Sequence, residues 1–136
     1  IPSIKVGDGF VTINLIAGTW SGQTGPIQSL TGVNTMTVEL ATGGRVLLPA
    51  PSGHNVFLYV VRGEVNVSEE TAREFQLVEL ENDGDDVALS ALRDSIVIFG
   101  HAAPLNEPVV ARGPFVMNTQ QEIVDAARDY YAGKFR

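Results

Sequence analysis

The sequence predicts an all-β domain, built as a sandwich, jelly roll or barrel and closed by one C-terminal α-helix. Three observations carry that reading. Short segments alternate apolar and polar residues, and Gly, Pro, Asn and Asp punctuate them. The 136 residues are 44% hydrophobic and only 18% charged, with 14 Gly and 7 Pro, a balance that suits strands and turns. Helical periodicity with caps at both ends is confined to residues 119–132.

The elements follow in order. Phe10–Ala17 alternates, with Val11, Ile13, Leu15 and Ala17 on one face and Thr12 and Asn14 on the other. Trp20 is placed in a following loop, packed against the core, with a ligand wall as the other reading. Thr35–Leu40 turns Met36, Val38 and Leu40 inward and Thr35, Thr37 and Glu39 outward. Gly43-Gly44 makes a turn into Arg45–Leu48, and the run from Pro49 to Gly53 breaks regular structure. Val56–Val61 is continuously apolar, the pattern of a strand buried on both faces. Arg62-Gly63 turns the chain into Glu64–Val67. Further strands are expected at Phe75–Leu80, Val87–Leu92, Ser95–Phe99 and Val109–Ala111, with turns at Asn82-Asp83-Gly84 and Arg93-Asp94. Thr119 and Glu122 form a capping box for the terminal helix. Ile123, Ala127 and Tyr130 make its apolar stripe, widened by Val124 and Tyr131. Gly133 suits a left-handed C-terminal cap, and Lys134 suits the negative end of the dipole.

The length fits one domain, taken as 1–136, with no linker, repeat or low-complexity tract. A net charge of −7 argues against nucleic-acid binding through phosphates and against an anionic membrane surface. No apolar run approaches the roughly 20 residues that span a bilayer. Cysteine is absent, which excludes disulfides, thiol catalysis and Cys–zinc sites and is compatible with a cytoplasmic setting. The chain opens on Ile1, which leads us to expect a processed chain or a piece of a longer one. Eight of the 16 acids fall between Glu69 and Asp86 and read as a solvated hairpin and loop. Asp83-Gly84-Asp85-Asp86 has the look of a calcium loop but lacks the later Glu. Neither a nucleophile elbow nor a phosphate loop is present.

Two segments are more specific than the strand pattern. Leu48–Val65 (LPAPSGHNVFLYVVRGEV) resembles the first motif of the cupin superfamily. Pro104–Thr119 (PLNEPVVARGPFVMNT), with the helix that follows it, is similar to the end of the pirin family, and Gly9–Gly18 is similar to the start of a pirin C-terminal domain. The resemblance covers essentially the whole chain. It implies a cupin-type jelly-roll β-barrel with one C-terminal α-helix, the second half of a bicupin of about twice this length. It also implies that the other, N-terminal cupin domain carries iron or another divalent transition metal on three His and one Glu. Some family members oxidise quercetin with dioxygen, and animal pirins are transcriptional co-regulators.

Placed on the family's metal motif, Tyr59-Val60 and Gly63 put the ligand positions at Pro49, Pro51 and Asn55. A register one residue on gives Ala50, Ser52 and Val56. Neither set supplies imidazoles and a carboxylate. This domain is therefore expected to hold no catalytic residue, metal or cofactor of its own. Of its two histidines, His54 reads as structural, with a lone ligand as the other reading, and His101 as structural or exposed; the two could still meet by folding, short of a three-His, one-Glu set. His54, Phe57, Tyr59 and Phe99 are candidate pocket-lining residues, the aromatics reading first as core. The helix residues Ile123, Val124, Ala127, Tyr130 and Tyr131 are the expected interface with the N-terminal cupin domain, and the chain alone is expected to self-associate through them. The alternatives are a regulatory protein-interaction module of the pirin co-regulator type, served by the acidic stretch, and a small-ligand-binding barrel. An autonomous oxygenase would need a four-ligand site that this sequence does not show.

Overall fold

The computed structural model describes residues 1–81 and 83–135. Asn82, in the turn expected at 82–84, lies outside the described residues. The chain divides into two compact units, residues 1–104 and 105–136.

The first unit is two antiparallel sheets. The larger has the order β1 (Ser3–Val6), β2 (Val11–Ala17), β5 (Asn34–Leu40), β12 (Ser95–Ala102), β7 (Asn55–Arg62) and β10 (Leu77–Leu80). The smaller has the order β6 (Arg45–Pro49), β11 (Asp86–Ala91), β8 (Glu64–Val67) and β9 (Glu70–Arg73). A two-strand ribbon, β3 (Thr19–Trp20) and β4 (Gln23–Thr24), stands apart. Consecutive strands cross repeatedly from one sheet to the other, the connectivity of a jelly roll. No strand pairing joins the two sheets among the described residues, so the barrel is a sandwich of two ladders.

Alternation sets the packing. Val11, Ile13 and Leu15 of β2, Met36 and Val38 of β5, and Val97 and Phe99 of β12 share one core with Leu48, Val65, Val67 and Leu89 of the smaller sheet. Trp20 packs on its margin, as expected. On the outer face of β2 and β5, Asn14 donates to Thr37 at 3.2 Å and to Glu39 at 3.1 Å.

Three readings of the sequence need correction. The strand at 55–62 is not buried on both faces: Val56, Leu58 and Val60 are buried, while Phe57 is exposed and Tyr59 and Val61 are half-buried. Apolar residues occupy both phases of the pleat there, so composition hid an ordinary alternation. The strand expected to end at Phe99 runs on to Ala102, pairing with β7 as far as Asn55, and the Phe57 ring covers Gly100, where a Cβ would sit 2.7 Å from it. Phe75 lies outside the strand expected at 75–80, in the tight turn before β10 with φ +68°.

The second unit is a hairpin, β13 (Val110–Arg112) and β14 (Phe115–Met117), followed by α1 (Gln120–Tyr131), which packs on it. The capping box forms: the Thr119 hydroxyl accepts from the Glu122 amide, and the Glu122 carboxylate accepts from the Thr119 amide at 2.8 Å. Gly133 takes φ +70°, and Lys134 bonds Asp129 at 2.7 Å. Asn118 donates to the Pro108 carbonyl at 2.8 Å and to Glu107 at 3.1 Å, tying the strand leaving the hairpin to the segment entering it.

Candidate functional site

The segment that would carry a cupin metal runs from β6 into β7. Pro49, Pro51 and Asn55 are all exposed there. The buried positions are Ala50 and Val56, which belong to the register one residue on. Neither set offers an imidazole or a carboxylate, so this segment does not fit the family's three-His, one-Glu centre. Among the described residues no three His, Cys, Asp or Glu side chains converge.

The expected pocket-lining residues fall on both faces of the larger sheet. The pleat sends Phe57 and Tyr59 to the outer face of the larger sheet, while Phe99 is fully buried in the core. Leu77 and Ile98, in register with Tyr59 on either side, extend that outer apolar patch. The fourth residue, His54, does something the sequence did not disclose. It precedes β7, and its Nδ1 lies 3.0 Å from Nδ1 of His101, near the end of β12. The two are 47 positions apart, so only the sheet register brings them together. His101 is 8% exposed and meets the Phe99 ring edge-on at 6.0 Å. Burial, and then the charge of His54, hold the His101 imidazole below the ordinary histidine range, so it stands neutral at pH 7. Opposite His101 on β5, Asn34 donates to the Thr19 carbonyl at 2.7 Å, and its own side-chain oxygen is buried without a protein partner.

Several of the acidic residues line a cleft of about 920 Å³ to which both sheets contribute. Ala50, Val56, Val67 and Val87 form its floor, and Glu70, Glu79, Glu81 and Asp86 are on its rim. These carboxylates are exposed, which is the solvated arrangement expected of them.

On α1 the buried residues are Ile123 and Ala126. Ala127 is half-buried, and Val124, Tyr130 and Tyr131 are exposed, Tyr131 by 87%. The stripe read from the sequence is therefore split. Phe115 meets Tyr130 edge-on at 6.3 Å, and Phe135 closes a ring cluster with both.

Comparison with known proteins agrees with this fold. The family profile described as the pirin C-terminal cupin domain matches residues 35–136. A putative quercetin 2,3-dioxygenase of Pseudomonas aeruginosa is 32% identical over 135 residues, which is 99% of this chain and 47% of that protein. The crystal structure of a quercetin 2,3-dioxygenase from Acinetobacter baumannii superposes with a TM-score of 0.94 at 30% identity, covering 98% of this chain and 47% of that one. A pirin of Escherichia coli in complex with nickel(II) shares the fold, with a TM-score of 0.59 at 16% identity over 68% of this chain and 40% of that one. The chain spans about half the length of the curated relatives it matches. Profile, relatives and superposition agree, and the chain belongs to the pirin family as its C-terminal cupin domain.

Proposed function

We propose that this domain is the non-catalytic half of a two-domain, quercetin-dioxygenase-like pirin. It completes the molecule beside an N-terminal cupin domain that carries the iron or other divalent transition metal. The observation that carries the reading is the chemistry of the 49–56 segment. Its exposed positions hold Pro49, Pro51 and Asn55, and its buried ones Ala50 and Val56. A mononuclear oxygenase centre needs several imidazoles and a carboxylate converging with open positions for dioxygen and substrate. None of these five residues supplies either group. The length of the relatives supports a second domain, and their names support flavonol oxidation as its reaction. Nickel in the Escherichia coli pirin supports a divalent metal there. The exposed helix residues Val124, Tyr130 and Tyr131 supply part of the surface facing that domain. The absence of cysteine supports a cytosolic location.

Elemental analysis tests this. Chain purified from cells supplied with iron and nickel is expected to hold far less than one metal per molecule and to leave quercetin unconsumed in air. One equivalent of iron, nickel or copper, removed by His54→Ala or His101→Ala, would overturn the reading.

A further inference from the structure

The chain has two histidines, and the fold sets them nitrogen to nitrogen. Their ring centroids lie 5.2 Å apart, close to the longest separation that an Nδ1–Nδ1 distance of 3.0 Å permits. The two Nδ1 atoms therefore face one another head-on. That is a hydrogen-bond arrangement: one Nδ1 carries a proton and donates it, and the other is bare and accepts. A metal ion held by both at cis or tetrahedral positions would draw the lone pairs to a point off the line between the nitrogens and bring the rings closer. The geometry assigns the pair one shared proton.

What the bond joins decides what it does. His54 ends the 50–54 loop that feeds β7. Asp85 holds that loop on one side, its carbonyl accepting from the Ala50 amide at 2.8 Å and its carboxylate from the Ser52 amide at 3.2 Å. Toward β12 the loop is tied by the imidazole pair. We propose that His54 and His101 form a proton-operated latch, which ties this loop to the end of β12 while one Nδ1 is bare and releases it when both are protonated.

The proton count follows from imidazole chemistry. A first added proton goes to the free Nε2 of the donor ring and leaves the bond in place. A second must land on the accepting Nδ1, which sets two N–H groups and two positive charges face to face. The residues in register with His101 do not relieve that repulsion. In register with His101 stand Asn34 on β5 and Val56 on β7, neither of them titratable, and Phe99 lies against the ring. The ionisable group whose charge acts on His101 is His54 itself. The second proton is therefore the harder one to add, and release follows it.

Amide hydrogen exchange on the full chain, read by NMR at about pH 7.5 and about pH 5 and corrected for intrinsic rates, tests the latch. Protection at His54, Asn55 and Ala102 is expected to fall about tenfold at the lower pH, while the amides of β2 keep theirs. His101→Phe, which retains a ring beside Phe99, and His54→Gln are each expected to abolish the pH dependence at these three amides. His54 is half-buried, so His54→Gln carries the comparison if His101→Phe fails to fold. Equal protection at both pH values in the wild-type chain would overturn the proposal. So would the same fall in His54→Gln, or a fall shared by β2.

Discussion

Gly63→Ala probes the corner where the chain leaves the larger sheet for the smaller one. Gly63 has φ +93°, and a Cβ built on it would stand 2.2 Å from the Ser95 hydroxyl and 2.5 Å from the Asp94 carbonyl. Ser95 is buried, and its hydroxyl accepts from the Glu64 amide at 3.0 Å, so the neighbour cannot move without breaking that bond. Two costs add. A side chain in left-handed backbone costs roughly 1–2 kcal/mol. Forcing an extra carbon into a packed corner costs roughly 1–3 kcal/mol more. Gly43→Ala separates them, because Gly43 has φ +83° and open space around its Cβ position. Both changes remove the same freedom from the unfolded chain, so that contribution cancels in the comparison. Urea denaturation with linear extrapolation is the assay, with both m-values checked against the parent. Gly63→Ala is expected to lose about 1–3 kcal/mol more than Gly43→Ala. Losses equal to within about 0.5 kcal/mol would mean that the β7–β8 corner does not press on Ser95 as described.

The remaining predictions concern charge, a helix cap and association. The Asp94 carboxylate accepts from the Thr42 amide and hydroxyl, both at 2.8 Å, and these bonds, helped by Arg62, hold its pKa below the ordinary 3.8. Its stabilising contribution is present above that value and lost as pH falls through the lower folded value, because the unfolded chain then binds the proton more readily. The difference in urea midpoint between parent and Asp94→Asn should therefore shrink from about pH 6 to about pH 2, and a constant difference would contradict the assignment. Thr119→Ala removes one half of the capping box and should cost about 1 kcal/mol locally, read as faster exchange at the first amides of α1 with the sandwich unchanged. Sedimentation at several concentrations should show self-association that Val124→Asp with Tyr131→Asp abolishes. Both side chains are exposed, so folding is spared, and a parent chain that stays monomeric throughout would refute association through this helix.

How much of this was legible in the sequence depends on the range of the interaction. Val11 to Ala17 and Thr35 to Leu40 declare their buried faces by period, and the structure follows them residue by residue. Thr119, Glu122 and Gly133 declare a helix and its ends, because caps are contacts between residues three or four apart. The 55–62 strand misled because Phe57, Tyr59 and Val61 are as apolar as the residues they alternate with. The β3–β4 ribbon escaped because two-residue strands leave no period to read. That the two histidines could meet was open from the sequence, but their contact could not be placed, for a different reason. Nothing local marks His54 or His101 as partners, and their meeting requires β12 to continue past Gly100, pairing His101 with Val56 and Ala102 with Asn55 of the neighbouring strand.

The two ends of the sandwich should then answer acid at different pH. Because β7 and β12 are antiparallel, β7 leaves the sheet where β12 enters it, and the reverse holds at the other end. At the first end the chain changes sheet near Gly43, Gly63 and Asp94, and the fastenings are the Ser95 hydroxyl, backbone amides and the Asp94 carboxylate. None of these binds a proton until the carboxylate range is reached. At the second end the tie toward β12 is an imidazole pair, and an imidazole ordinarily takes its proton at higher pH than a carboxylate does. Mild acid should therefore loosen the His54 end while the Gly63 end holds, and only stronger acid should reach both. The order follows from which side chain closes each end, and exchanging the roles would require a carboxylate partner for His101 that neither Asn34 nor Val56 provides.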